Sequence, residues 1–205
     1  MVFSGDSRGS VPHLFRKDLT TGKEEQVLRP GKQQNAMDVF PDGRVAYVER
    51  GAEGFRPFEL SLAPGASPTP MLPGPLSVTH MRLSPDGRAM SFVGGGDEGR
   101  MHVYVSAVSV TTMPILAAKD VSGPARWSRD GGRIYYVKDD AMMTRTVSTV
   151  PSLEVGEPEQ LFKLGRPAKL QDVSRDGRFL LLEPLVRAEQ HPITVWTGAI
   201  ASTQR

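Results

Sequence analysis

The chain has 205 residues, 39% of them apolar and 23% charged, a globular balance with room for one large domain or two small ones. Its 25 basic and 23 acidic residues leave a net charge of +2 with no run of five like charges, which argues against a clustered nucleic-acid-binding face, and no stretch of eighteen apolar residues could cross a bilayer as a helix. The lack of cysteine excludes disulfides, thiolate metal sites and cysteine nucleophiles, and leaves the compartment open.

The opening MVFSGDSRGSV has neither a basic leader nor an apolar stretch of secretory length, so no signal peptide and no membrane insertion are expected of these residues. Gly5-Asp6-Ser7-Arg8-Gly9 fits the G-x-S-x-G spelling that presents a nucleophilic serine in α/β-hydrolases. That elbow needs a helix directly after the serine. The next residues read instead as a strand, His13 to Leu19, and a turn, Thr20 to Lys23, so Ser7 is expected at a loop tip and not as a nucleophile.

Further along, FPDGRVAYVE (40–49), SPDGRAMSFV (84–93), SRDGGRIYYV (128–137) and SRDGRFLLLE (174–183) repeat one pattern. They set Asp42-Gly43, Asp86-Gly87, Asp130-Gly131 and Asp176-Gly177 at intervals of 44, 44 and 46 residues. Each is a hairpin tip: proline or another residue at the second turn position, a short carboxylate that bonds nearby amides, and glycine where the backbone is most constrained. After each tip runs a nearly continuous apolar strand, such as Val45 to Val48 or Ile134 to Val137, as expected of a strand covered on both faces. Before the tip lies another, such as His80 to Leu83, and two weaker strands complete the unit, as in Val103 to Val108 followed by Pro114 to Leu116.

Four antiparallel strands per repeat of about 44 residues is the blade of a β-propeller. The expected fold is all-β, with three complete and two partial blades and approximate repeats at 1–35, 36–77, 78–121, 122–166 and 167–205 in one domain. The first blade would lack its inner strand and the last a clear outer one. Such an array reads as the carboxy-terminal part of a six- or seven-bladed ring in a larger protein, or as a shortened gene product, with open blade edges that invite self-association.

The turns Ser84-Pro85-Asp86-Gly87-Arg88 and Trp127-Ser128-Arg129-Asp130-Gly131 resemble the repeat of TolB-type propellers. The closing stretch, from Gln160-Leu161-Phe162 through Asp172 to Leu180 and on to Pro192-Ile193-Thr194-Val195-Trp196-Thr197-Gly198, is similar to the end of propeller domains that follow membrane-tethered bacterial serine/threonine kinases. The resemblance implies a propeller serving as a protein-binding or ligand-sensing platform, often periplasmic or extracytoplasmic, and not an enzyme. The alternatives are the gating propeller of a prolyl-oligopeptidase-type peptidase and part of a propeller lyase or glycosidase.

Candidate binding residues come from register. Asp38, Arg82, Arg126 and Asp172 stand two residues before the turn-initiating position in successive repeats, where inner strands face the channel. They are expected either to pair, Asp38 with Arg82 and Arg126 with Asp172, or to hold a protein or small-molecule ligand. Arg8, Arg50, Arg56, Arg100 and Lys138 form a loosely basic rim at the loops joining second and third strands. No cofactor motif appears: Gly94-Gly95-Gly96 lacks the following G-K-[ST] of a phosphate loop. His13, His80, His102 and His191 have no metal-ligand spacing, and Ser128-x-Asp130-x-Gly132 matches an Asp-box spelling that the other repeats do not share.

Overall fold

The computed structural model describes residues 1–5, 11–28, 31–95, 100–108 and 111–184, and the backbone of 195–196. It is built of antiparallel sheets with no helix among these residues. Ser7, Arg8, Gly96, His191 and the Pro192 to Thr194 segment lie outside the described residues.

The first sheet holds β1 (Val2–Gly5), β2 (His13–Lys17) and β3 (Glu24–Gln26). The second holds β4 (Gln34–Val39), β5 (Val45–Gly51), β6 (Gly54–Leu60) and β7 (Thr69–Pro70). The third holds β8 (Val78–Leu83), β9 (Ala89–Gly95), β10 (Met101–Ala107) and β11 (Ile115–Ala118). In the fourth, β12 (Arg126–Trp127), β13 (Arg133–Lys138) and β14 (Ala141–Ser148) are followed by both β15 (Glu154–Val155) and β16 (Glu159–Lys163), each paired to β14. The second outer strand is an addition to the expected unit of four. The fifth sheet holds β17 (Lys169–Val173), β18 (Phe179–Leu182) and β19 (Val195–Trp196). Inner strands adjoin one another in sequence, β4 on β8, β8 on β12 and β12 on β17, while β1 packs on β4.

The turns between first and second strands share one geometry. The amide of the glycine donates to the carbonyl three residues back in all four, for example Gly87 N to Ser84 O at 2.8 Å and Gly131 N to Ser128 O at 3.1 Å. Each glycine then has positive φ, between 70° and 88°, the left-handed residue that follows a type I turn in a hairpin. At Gly131, not Gly132, the third turn takes this conformation, in line with the other three. Glycine is needed at 87 for a second reason, since a Cβ there would stand 2.9 Å from the Pro41 ring of the preceding turn.

The core explains why the second strands read as continuous apolar runs. It is divided into four clusters, one at each junction between consecutive sheets. Leu14 meets Tyr47 and Leu60 at the first junction. Ala46 and Val48, from the other face of β5, meet Met81, Met90 and Phe92 at the second. Val103 and Val105 meet Trp127, Ile134 and Tyr136 at the third, and Tyr135 and Val137 meet Leu170, Phe179 and Leu181 at the fourth. Alternate residues of one strand therefore serve different junctions, so both faces must be apolar.

Tyr47 lies in this core at 0% exposure, and its hydroxyl has no hydrogen-bond partner among the described residues. Burial pushes its phenol well above the usual tyrosine range, with Glu49 adding to the effect. A buried hydroxyl without a partner costs about 1–3 kcal/mol, so Tyr47→Phe is expected to stabilise the fold by roughly 1 kcal/mol and raise the melting temperature by a few degrees. A lower melting temperature would show that the hydroxyl is satisfied in solution.

Candidate functional site on the inner strands

Three of the four inner-strand charges, Asp38, Arg82 and Asp172, sit beside a recurrent irregularity of the sheet, whereas Arg126 pairs in regular register. Register shifts fall between Ala36 and Asp38, between Thr79 and Arg82, and between Leu170 and Asp172, each just before the charged position. Met37 and Gln171 are thereby extra residues without a ladder partner, and His80 takes a φ of 49° inside its bulge. A carbonyl released from the ladder still needs a donor.

Arginine supplies that donor across the junctions. Arg82 Nη1 donates to Met37 O at 2.7 Å, and Arg126 Nε donates to Gln171 O at 2.5 Å. Each guanidinium is also anchored on the residue before its own, Arg82 Nη1 to Met81 O at 3.1 Å and Arg126 Nη1 to Ala125 O at 3.0 Å. Between them the Trp127 indole Nε1 donates to Arg82 O at 3.1 Å. Asp38 completes the pattern: its Oδ2 accepts the Leu83 amide of the next sheet at 2.9 Å, and its Oδ1 accepts Val39 N, also at 2.9 Å.

The expected ion pairs are therefore absent, and this corrects the reading from register alone. Among the described residues, neither Asp38 with Arg82 nor Arg126 with Asp172 forms a salt bridge; the Met37 and Gln171 carbonyls freed by the bulges take the guanidiniums, and the Leu83 amide of the next sheet takes Asp38. Asp172 Oδ1 accepts its neighbour's amide, Val173 N, at 2.8 Å. Burial and the Arg82 charge hold the Arg126 guanidinium below the usual arginine range, outweighing Asp172, which favours its charge. His80 is likewise held below the usual histidine value, by burial first and then by Arg126, Arg82 and Lys169. Four cationic or protonatable groups thus share one surface spanning β8, β12 and the start of β17.

The rim residues lie elsewhere. Arg50, Arg100 and Lys138 are at the β5–β6, β9–β10 and β13–β14 ends, opposite the glycine turns, so the two sets are not brought together. Arg50 lies over the Phe55 ring, Arg100 pairs with Asp120 at 3.5 Å, and Lys138 approaches Asp139 at 4.0 Å. Arg56 Nη2 donates to Leu72 O. Of the other histidines, His13 is buried and His102 Nδ1 accepts the Asp120 amide. No group of three metal-ligating side chains occurs among the described residues.

The turn aspartates act locally. Ser84 and Ser128 hydroxyls each donate to the following aspartate, Asp86 or Asp130, at 2.6 Å, and Ser174 does the same for Asp176. Asp42, preceded by Phe40 in place of serine, is held by the amide and guanidinium of Arg44. All four carboxyls stay below the ordinary value. The Arg44 amide does this for Asp42, and the turn serines do it for Asp130 and Asp176. At Asp86 burial is the largest single effect and acts the other way, but Ser84 and the Arg88 amide together outweigh it. Depressed folded-state values stabilise the fold above the unfolded pKa of about 3.9, and that contribution is lost as pH falls through the folded values. A double Asp86→Asn, Asp130→Asn variant should lose less melting temperature than the parent between about pH 5 and pH 2.5. Parallel curves for the two proteins would remove these turns from the acid response.

No family model matches the chain, and no curated protein does. Solved structures do. The TolB of Acinetobacter baumannii superposes with a TM-score of 0.56 and 18% identity over 78% of this chain and 43% of its own. A putative TolB from Agrobacterium tumefaciens gives 0.59 and 21% over 87% and 62%, so this chain spans about half the length of the TolB structures it matches. A puromycin hydrolase variant gives 0.60 and 17% over 88% of this chain and 33% of its own. A gluconolactonase from Xanthomonas campestris and a prolyl endopeptidase share the fold as well. These enzymes overturn the expectation that the chain is not one, because that expectation leaned on fold and the same fold is found in catalysts. The chain carries a TolB-like β-propeller fold.

Proposed function

We propose that the chain is the binding portion of a β-propeller, and that its working surface is the row of inner strands carrying Arg82 and Arg126. The observation that carries this reading is a pair of guanidiniums tied to neutral carbonyls of neighbouring sheets and not cancelled by the carboxylates in register with them. A charge kept this way is held in position yet still available to a partner, either a protein segment or a small molecule.

The test is a thermal-shift screen of the purified chain with anionic, cationic and neutral small molecules and with one acidic and one basic peptide, repeated on an Arg82→Ala, Arg126→Ala variant. At least one class is expected to raise the melting temperature of the parent and not of the variant. Equal shifts in both would move the binding surface away from the inner strands and towards Arg50, Arg100 and Lys138.

A second reading, a propeller that gates a peptidase domain, draws support from the fold shared with the puromycin hydrolase and the prolyl endopeptidase. It requires an α/β-hydrolase domain in the same polypeptide or a neighbouring reading frame. The kinase-linked sensor reading rests on the closing stretch of sequence and calls for a kinase domain in the same place. A lyase or glycosidase acid–base pair from Asp38 and Asp172 is disfavoured, since Asp38 is engaged by the Leu83 and Val39 amides and Asp172 by the Val173 amide, bonds that favour the ionised carboxylate over a proton donor.

A further inference from the structure

We propose that Arg82 and Arg126, with His80 and Lys169 beside them, form a receptor for a small polyanion bearing carboxylate or phosphate oxygens, laid across the inner strands of three consecutive sheets. The proposal rests on the binding reading above and names its ligand class.

Three observations converge on it. First, the two arginines keep donors in reserve. A guanidinium has five N–H groups, and Nη2 of both residues and Nε of Arg82 have no partner among the described residues. These are the fork-shaped donors that match carboxylate and phosphate oxygens.

Second, the backbone carbonyls of Met37, Met81, Ala125 and Gln171 fix the guanidiniums without neutralising them. A paired arginine would have to give up a carboxylate before binding an anion; these have none to give up. The ordering cost is met in the free protein, which favours binding. The surface also brings like charges together: Arg82 bears on Arg126, only partly offset by Asp172, and both bear with Lys169 on His80, an arrangement that an anion would ease. Asp172 is the carboxylate that bears on Arg126, and it is engaged with the Val173 amide through one oxygen.

Third, the positive surface continues towards the glycine turns. Arg129 and Arg175 stand where Pro41 and Pro85 stand in the first two turns, and they line a groove of about 390 Å³ with Ser128, Tyr135, Ser174 and one carboxylate, Asp130, whose Oδ1 is taken up by the Ser128 hydroxyl and the Gly132 amide. Ser128 and Ser174 of this groove lie two residues beyond Arg126 and Asp172 along the chain, in the turns that follow β12 and β17, giving an anion longer than one oxyanion group a path to follow.

The experiment is calorimetric titration of the purified chain with citrate and with inorganic phosphate, against sodium chloride at matched ionic strength. Binding of citrate, phosphate or both above the chloride control is expected, and the pair of titrations tells a carboxylate receptor from a phosphate one. Arg82→Ala and Arg126→Ala should each weaken binding about tenfold or more, as the loss of a charge-assisted hydrogen bond predicts. Arg126→Lys, which keeps the charge and loses the fork, should fall between parent and alanine. Because either alanine change removes a contact between sheets, circular dichroism must show each variant folded at the titration temperature, and Lys169→Ala, whose exposed side chain leaves the core intact, should weaken binding by a smaller factor. An independent readout is His80, faced by Arg82, Arg126 and Lys169: its imidazole pKa, followed by NMR, should rise when the anion is bound. Citrate and phosphate that bind no better than chloride, or that bind folded Arg82→Ala and Arg126→Ala as well as the parent, overturn the proposal. If the anions fail while a neutral or cationic compound still shifts the melting temperature of the parent but not of the double variant, the binding reading stands and only the ligand class falls.

Discussion

Phe92→Ala is expected to lower the stability of the fold by about 3–5 kcal/mol, or roughly 6–20 °C in melting temperature for a chain of this size. Phe92 is 1% exposed on β9 and packs into the cluster that joins the second and third sheets, with Ala46, Val48 and Met71 on one side and Met81 and Met90 on its own. Its ring also stacks on Tyr104 at 5.5 Å between centroids, with only 12° between planes. No charged group lies in that cluster to reorganise around the void, and the surrounding residues are fixed by strand ladders on both sides, so collapse into the cavity is limited. Propeller sheets are coupled through such junctions and not through shared strands, which makes the effect wider than one residue. The denaturation curve should broaden as well as shift, because the array is then cut between its second and third units. Chemical denaturation followed by circular dichroism reads both quantities. A cost below about 1 kcal/mol would mean that the second and third sheets do not share this core in solution.

Much of this architecture is legible in the sequence, and the reason is physical. A turn that needs aspartate and glycine at fixed places, with serine before them in three of the four, leaves the same pair of letters at each, so Asp42, Asp86, Asp130 and Asp176 mark the hairpins. A strand buried on both faces leaves an uninterrupted apolar run, and Val45 to Val48 and Ile134 to Val137 are the strands whose alternate residues divide between two junctions. The bulges are not legible. Met37 and Gln171, the residues extruded from the ladder, carry no glycine or other mark of an irregular backbone, and their positions are set by how the inner strands must approach one another.

The same blindness accounts for the failed ion pairs. Equal register puts Asp38 and Arg82 side by side on paper, but the bulge offers Arg82 the Met37 carbonyl and the neighbouring sheet offers Asp38 the Leu83 amide, and hydrogen bonds to fixed amides and carbonyls prevail over an ion pair between half-exposed side chains. His80 has no metal-ligand neighbour along the chain, although its place two residues before Arg82 on the same inner strand is visible. Its membership of the site comes from the proximity of Arg126 and Lys169 on adjoining sheets, a relation that spacing along one repeat cannot express.

Trp127 joins stability to the site, and two substitutions separate its roles. Its side chain is buried at the third junction among Ala89, Val103, Val105, Ala125, Ile134 and Tyr136, and its indole Nε1 holds the Arg82 carbonyl at 3.1 Å. Trp127→Ala removes both and should cost about 3–5 kcal/mol. Trp127→Phe keeps most of the apolar contact and takes away only the hydrogen bond, which leaves the Arg82 carbonyl short of a donor at a cost of about 1–3 kcal/mol. The consequence for binding is the opposite of what stability alone predicts. The phenylalanine variant should melt closer to the parent than the alanine variant does, yet bind citrate or phosphate more weakly than the parent, because the strand segment that presents the Arg82 guanidinium has lost its tie to the neighbouring sheet. Melting curves and titrations on the two variants and the parent make the comparison. If Trp127→Phe binds as well as the parent, the tie from Arg82 Nη1 to Met37 O is sufficient to position the guanidinium, and the indole matters to the junction alone.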